Sequence, residues 1–111
     1  MHAVLITFTS AIEPTELAGP FREYARALDD VPGLVSKTWL ADEDVLGGFY
    51  LFETSEVADE YLGGSLLASV AENPVFSNFA IRRIDVLEQL SAMTNGLGGT
   101  SPLAPARHSH G

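Results

Sequence analysis

The stretch Gly47-Gly48-Phe49-Tyr50-Leu51-Phe52-Glu53 reads as a strand, and its surroundings make it one half of a hairpin. Aromatic and aliphatic side chains suit a pleated, buried surface. Alternation places Gly48, Tyr50 and Phe52 on one face and Phe49, Leu51 and Glu53 on the other. Residues 34–41 (Leu-Val-Ser-Lys-Thr-Trp-Leu-Ala) read as the preceding strand, with Val35, Lys37 and Trp39 on one face by the same period of two. The acidic Asp42-Glu43-Asp44 between them is the hairpin turn; it lacks the ligand spacing of a calcium loop.

Outward from the hairpin, both flanks have the same form. Upstream, residues 3–9 (Ala-Val-Leu-Ile-Thr-Phe-Thr) predict a largely buried first strand. Leu17, Phe21, Tyr24, Ala25 and Leu28 then fall on one stripe of a helix. Pro20 lies inside that stripe, so the helix either starts at Gly19-Pro20 or is kinked in its first turns. Val31-Pro32-Gly33 stops it. Downstream, Thr54-Ser55 offers an N-cap, and Val57, Ala58, Tyr61 and Leu62 share one helical face. Gly63-Gly64 breaks this helix, residues 65–72 form a further short piece, and residues 76–87 predict a fourth strand. Residues 90–93 add a helical turn. Residues 1–95 thus form one domain, and residues 96–111 a flexible Gly/Pro-rich C-terminal tail.

The order β-α-β-β-α-β is that of the ferredoxin-like α+β fold, a four-stranded antiparallel sheet with both helices on one face. The other face has no cover within one chain. A sheet built from Val, Ile, Phe and Trp predicts a second copy packed there, a homodimer.

Charge and counting exclude much. The 111 residues carry 6 basic and 15 acidic side chains, a formal net charge of −9. Nucleic acid and anionic membrane surfaces are therefore unsuited partners. No apolar run approaches the roughly 18 residues of a membrane span. Met1-His2-Ala3-Val4 has no cationic region before the apolar stretch, which argues against a signal peptide. The chain has no cysteine, which excludes disulfides and fits a cytoplasmic location. Its three histidines, His2, His108 and His110, lie near the chain ends, so no catalytic histidine is expected in the folded body. His108 and His110 sit in the tail and predict no metal site. The glycine pairs lack the spacing of a phosphate-binding loop.

Pro32-Gly33-Leu34, Lys37-x-Trp39, Gly47-Gly48-x-Tyr50-Leu51-Phe52, and Asp85-Val86 followed by Leu90-Ser91 occur in the same order in the YdhR-type monooxygenase family. The chain resembles that family over most of its length, residues 3–94; the tail is not part of the pattern, and the hairpin turn is short for it. The resemblance implies the dimeric α/β-barrel superfamily. That group includes cofactor-free monooxygenases of aromatic polyketides, haem-degrading enzymes, and small isomerases or cyclases. It also implies a ligand pocket between helices and sheet. By this similarity Phe52 faces the pocket, and Tyr61 falls near the place where haem-degrading relatives carry their iron-ligand histidine.

Six residues are the candidates for such a site. Tyr50 is either a core aromatic or a donor that orients a ligand phenol or carbonyl, and Tyr61 divides the same way. Lys37, the only lysine, either pairs with a carboxylate such as Glu53 or stabilises a phenolate or enolate. These three are the catalytic candidates. Trp39, Phe52 and Tyr24 are the substrate-binding candidates, with Trp39 equally suited to core, dimer interface or pocket wall. Of the adjacent Arg82 and Arg83, one is expected in solvent and the other paired with a carboxylate. The expected function is oxidation of an electron-rich aromatic or polyketide-like molecule by O₂ as co-substrate, with no cofactor and no metal. A cofactor-free cyclase or isomerase, and a non-enzymatic small-molecule-binding dimer, are the alternatives.

Overall fold

The computed structural model describes residues 1–97. In chain order the elements are β1 (His2–Ser10), a 3-10 turn (Pro14–Leu17), α1 (Ala18–Leu28), β2 (Leu34–Asp42), β3 (Val45–Phe52), α2 (Ser55–Leu62), α3 (Ser65–Ala71), β4 (Phe76–Asp85) and α4 (Glu88–Met93). The sheet order is β2-β3-β1-β4, with every neighbouring pair antiparallel. This is the expected ferredoxin-like sheet. Among the described residues no helix is long and apolar enough to cross a membrane.

Local chemistry explains the boundaries. The helix α1 starts at Ala18, so Pro20 is its third residue. There the missing N–H costs nothing, because the first helical amides have no partner within the helix. Gly33 ends the α1 connection with φ +80°, and a Cβ there would lie 2.6 Å from Val57. Thr54 caps α2, its side-chain oxygen accepting from the Val57 amide at 3.2 Å. The two-residue turn between β2 and β3 places Glu43 at φ +54°, as tight hairpins require.

Two irregularities were not foreseen. In β2, Leu34 pairs with Phe52 and Ser36 with Leu51, so Val35 is an extra, bulged residue. Leu34, rather than Val35, therefore packs against the core on the side of Lys37. In β4, the register shifts opposite Phe8, where Asn78 adopts φ +57°. That bulge brings Phe76 and Phe79, three apart in sequence, onto the same ring: Phe8 lies 4.8 Å from Phe76 and 4.9 Å from Phe79.

The core lies between the sheet and the helices. It holds Val4, Ile6 and Phe8 of β1, Leu46, Tyr50 and Phe52 of β3, Ala58 and Tyr61 of α2, and Leu67 of α3. The opposite face leaves Leu40, Phe49 and Ile84 at 41%, 42% and 46% exposure, an apolar surface that the described residues do not cover. On α4 and just before it, Leu87, Leu90 and Met93 are also exposed. Of the expected tail, Gly96 and Leu97 continue the turn after α4; the remainder, with His108 and His110, lies outside the described residues.

One expectation needs correction. His2 is not peripheral to the fold. It belongs to β1 and is 8% exposed, with Nδ1 2.9 Å from Asp85 Oδ1. Its Nε2 accepts from Arg83 Nε at 3.0 Å. Arg83 in turn donates to Asp59 and to the Ser55 carbonyl, tying α2 to the sheet. A strand start was read as a chain end.

Candidate functional site

Antiparallel register sets the site. Lys37 pairs with Tyr50, and Trp39 with Gly48, so all four project on the helix side of the sheet. From above, α1 lowers Phe21 and Tyr24 onto them: Phe21 lies 5.2 Å from Trp39 and Tyr24 6.4 Å. Ile6 and Phe8 of β1 and Val70 of α3 complete the wall of a cavity of about 370 Å³ counting its mouth. At rest the enclosed part has room for a water or two. A second hollow, of about 590 Å³ counting its open side, runs between α1 and β2 and is lined by Ala25, Leu28, Asp29, Leu34, Val35 and Ser36. Lys37 and Trp39 line both hollows.

Three phenols form a chain, two of them in this wall and the third, Tyr61, behind it. Tyr61 donates to Tyr50 at 3.0 Å, and the Tyr24 and Tyr61 hydroxyls are 2.6 Å apart. With the Tyr61 proton committed to Tyr50, Tyr24 must donate to Tyr61. Two bonds use two of the three protons, and the Tyr50 proton remains to be given. Burial raises all three phenols above the usual tyrosine range. They are neutral donors at physiological pH rather than bases.

Lys37 stands among aromatic faces. Its Nζ lies 3.4 Å from the Trp39 ring centre, 4.7 Å from Tyr50 and 5.1 Å from Tyr24. Among the described residues it makes no ion pair, and the expected pairing with Glu53 is not formed. Glu53 lies beyond the end of β3, its amide bonded to the Gly33 carbonyl. Burial lowers the Lys37 amine to about 7, while the three ring faces favour the cation. The structure thus holds a cation and its neutral amine close to balance.

Four of the six candidates, Tyr24, Lys37, Trp39 and Tyr50, line the cavity. Tyr61 does not; it is buried behind the wall and reaches the cavity only through the hydroxyls it holds. Phe52 requires correction: it has no exposure and stacks 6.0 Å from Tyr50 and 5.7 Å from Tyr61, as backing rather than wall. The reading missed Phe21, although it lies on the apolar stripe three residues before Tyr24. It also missed what Gly48 does: a Cβ there would sit 2.5 Å from Lys37 Cε.

A four-stranded antiparallel sheet covered by helices on one side, with an apolar cavity between the layers, defines a ferredoxin-like α+β protein. Residues 4–97 match the family described as "Putative mono-oxygenase ydhR", and the chain belongs to that family. Among solved structures it is similar to SnoaB, a cofactor-independent oxygenase from Streptomyces nogalater. That match has 15% identity and a TM-score of 0.64, covering 78% of this chain and 93% of that one. It is also similar to the haem-degrader MhuD from Mycobacterium tuberculosis, with two hemes bound, at 20% identity and TM-score 0.57, covering 77% and 95%. NE2512 from Nitrosomonas europaea, of unknown function, matches at 19% identity and TM-score 0.59, covering 78% and 88%. At these identities the likeness shows the fold. No curated protein matches.

The cavity wall presents phenols and one amine but no imidazole or thiolate toward a haem iron, and the Tyr61 oxygen is held between two phenols.

Proposed function

We propose that this protein is a cofactor-independent monooxygenase acting on an electron-rich phenol of polyketide type. The observation that carries the reading is Lys37 and Tyr50 side by side on the sheet floor of a largely apolar cavity. The neutral Lys37 amine takes the proton of a bound phenol or anthrone. The ammonium so formed and the spare Tyr50 proton stabilise the oxyanion in surroundings where water does not screen them. The carbanion form gives one electron to O₂, the radical pair combines to a peroxide anion, and the ammonium returns its proton to give the hydroperoxide. Loss of water then leaves a carbonyl: one oxygen atom enters the product and the other leaves as water. Tyr24, Trp39 and Phe21 sandwich the ring, and Tyr61 positions Tyr50.

A ligand of this size needs more space than the cavity offers at rest. To admit it, Phe21 and Tyr24 of α1, which lie over Trp39, have to move away from the sheet. The exposed Leu40, Phe49 and Ile84 suit a homodimer formed sheet to sheet, which would bury them.

The test is oxygen consumption by protein free of metal and flavin, across phenols, naphthols and anthrones. Uptake that follows native protein and falls in Tyr50→Phe supports the reading; its absence with every compound overturns it. The near-neutral amine of Lys37 also suits proton transfer in a cyclase or isomerase, which would form product without oxygen.

A further inference from the structure

We propose that Lys37 is also a nucleophile, capturing a carbonyl compound, an aromatic aldehyde or ketone, as an imine within this cavity. This goes beyond the oxygenase reading and uses the same side chain in its other protonation state.

The geometry is that of a held amine. Gly48 has no side chain, and the Lys37 stem lies in the space this leaves, carrying Nζ over Trp39 rather than out to solvent. No carboxylate lies within ion-pair distance among the described residues, so no ion pair holds the amine as an ammonium. Two hollows meet at Lys37, giving a carbonyl compound an approach from the side of α1 and β2 and a seat among rings. Burial lowers the amine to about 7, so much of it carries a free electron pair at neutral pH. An ordinary lysine has almost none.

Tyr50 supplies the proton the chemistry needs. The nitrogen pair forms a bond to the carbonyl carbon, and the displaced π pair goes to oxygen, which takes the Tyr50 proton. The nitrogen returns a proton to the phenol. A second transfer from Tyr50 lets the hydroxyl leave as water while the C=N bond forms and the last N–H proton returns. Both amine hydrogens end in the released water, and nothing is oxidised or reduced.

Lys37 is the only lysine, so the only other primary amine in the chain is that of Met1. The experiment treats the full chain at pH 7, without oxygen, with 4-hydroxybenzaldehyde and sodium cyanoborohydride. Hydride reduces any imine to a stable amine, adding the mass of the aldehyde less one oxygen. Peptide mapping then locates it. The expected result is labelling of Lys37 about tenfold or more faster in folded protein than in urea-unfolded protein, absent at that position in Lys37→Arg and slowed in Tyr50→Phe. Labelling confined to Met1, or Lys37 labelled no faster folded than unfolded, overturns the proposal. Because no oxygen is present, this outcome and that of the oxygen-uptake assay are independent.

Discussion

Gly48 and Lys37 occupy one space: a single methyl group on Gly48 would sit 2.5 Å from Lys37 Cε and 3.0 Å from the Tyr50 ring. Two neighbouring strands thus share one side-chain volume, taken entirely by the lysine. Gly48→Ala should cost about 1–3 kcal/mol by overpacking, measured by urea unfolding. It should also turn Lys37 outward and raise its titration toward the ordinary lysine range, read by NMR of the labelled amine. An unchanged titration would show that the glycine does not set the lysine's position.

Tyr61 is the middle member of the phenol chain and buried, so its removal strands two hydroxyls. Tyr61→Phe should destabilise the fold by about 1–3 kcal/mol. Tyr24→Phe, at one end and half-buried, should cost about 0.5–1.5 kcal/mol. Chemical denaturation of both variants checks the order; equal losses would contradict the chain.

Stability should rise with pH because of Lys37. Its folded amine titrates at about 7, whereas an unfolded lysine titrates near ~10.4. Between these values the unfolded chain binds a proton that the folded one has released, so alkalinity favours folding. Below about pH 7 both states are charged, and the penalty of the buried ammonium is fully present. Lys37→Met should therefore stabilise the protein by about 1–3 kcal/mol at pH 6, less than full desolvation because the rings offset part of it. The gain should vanish toward about pH 10. The groups facing Lys37 are Tyr24 and Tyr50, which keep their protons over this range, and Asp29 across the neighbouring groove. A gain independent of pH would remove Lys37 as its source.

Arg83 joins α2 to the sheet through Asp59, the Ser55 carbonyl and His2. Arg83→Ala should cost about 1–3 kcal/mol. Arg22→Ala, an exposed residue on α1, should stay within about 0.5 kcal/mol. Thermal unfolding of the pair tests this.

Light scattering should give a mass of about 24 kDa, twice that of the 11.9 kDa chain. The variant Phe49→Glu, which charges the exposed sheet face, should shift the population to monomer. A monomeric wild type would sink the sheet-to-sheet pairing.

The elements were legible because their signals are local: alternation in β1 and β3, the apolar stripe of α1, and the Thr54 cap each occupy a few consecutive residues. The bulges were not. Val35 and Asn78 resemble ordinary strand residues, and only pairing with a partner strand reveals them as extra. Lys37, Trp39, Gly48 and Tyr50 share the helix side through the pairing of β2 with β3, and alternation within each strand does not reveal which side that is. The phenol chain was not legible either, because Tyr24, Tyr50 and Tyr61 meet only when α1 and α2 are laid side by side over β3. For Lys37 the sequence leaves a carboxylate partner and an anionic ligand both open, since pairing is the common solution for a buried amine; aromatic faces stand where the carboxylate would. His2 was misplaced because nearness to a terminus was taken as distance from the core.

The phenol chain has a further consequence. With Tyr24 donating to Tyr61 and Tyr61 to Tyr50, the three O–H dipoles run in one direction along the chain and end at the cavity. Each bond polarises the next, so the Tyr50 hydroxyl is a stronger donor than an isolated phenol. The wall therefore has a fixed polarity, and it favours a guest that has lost its proton over the same guest before it does.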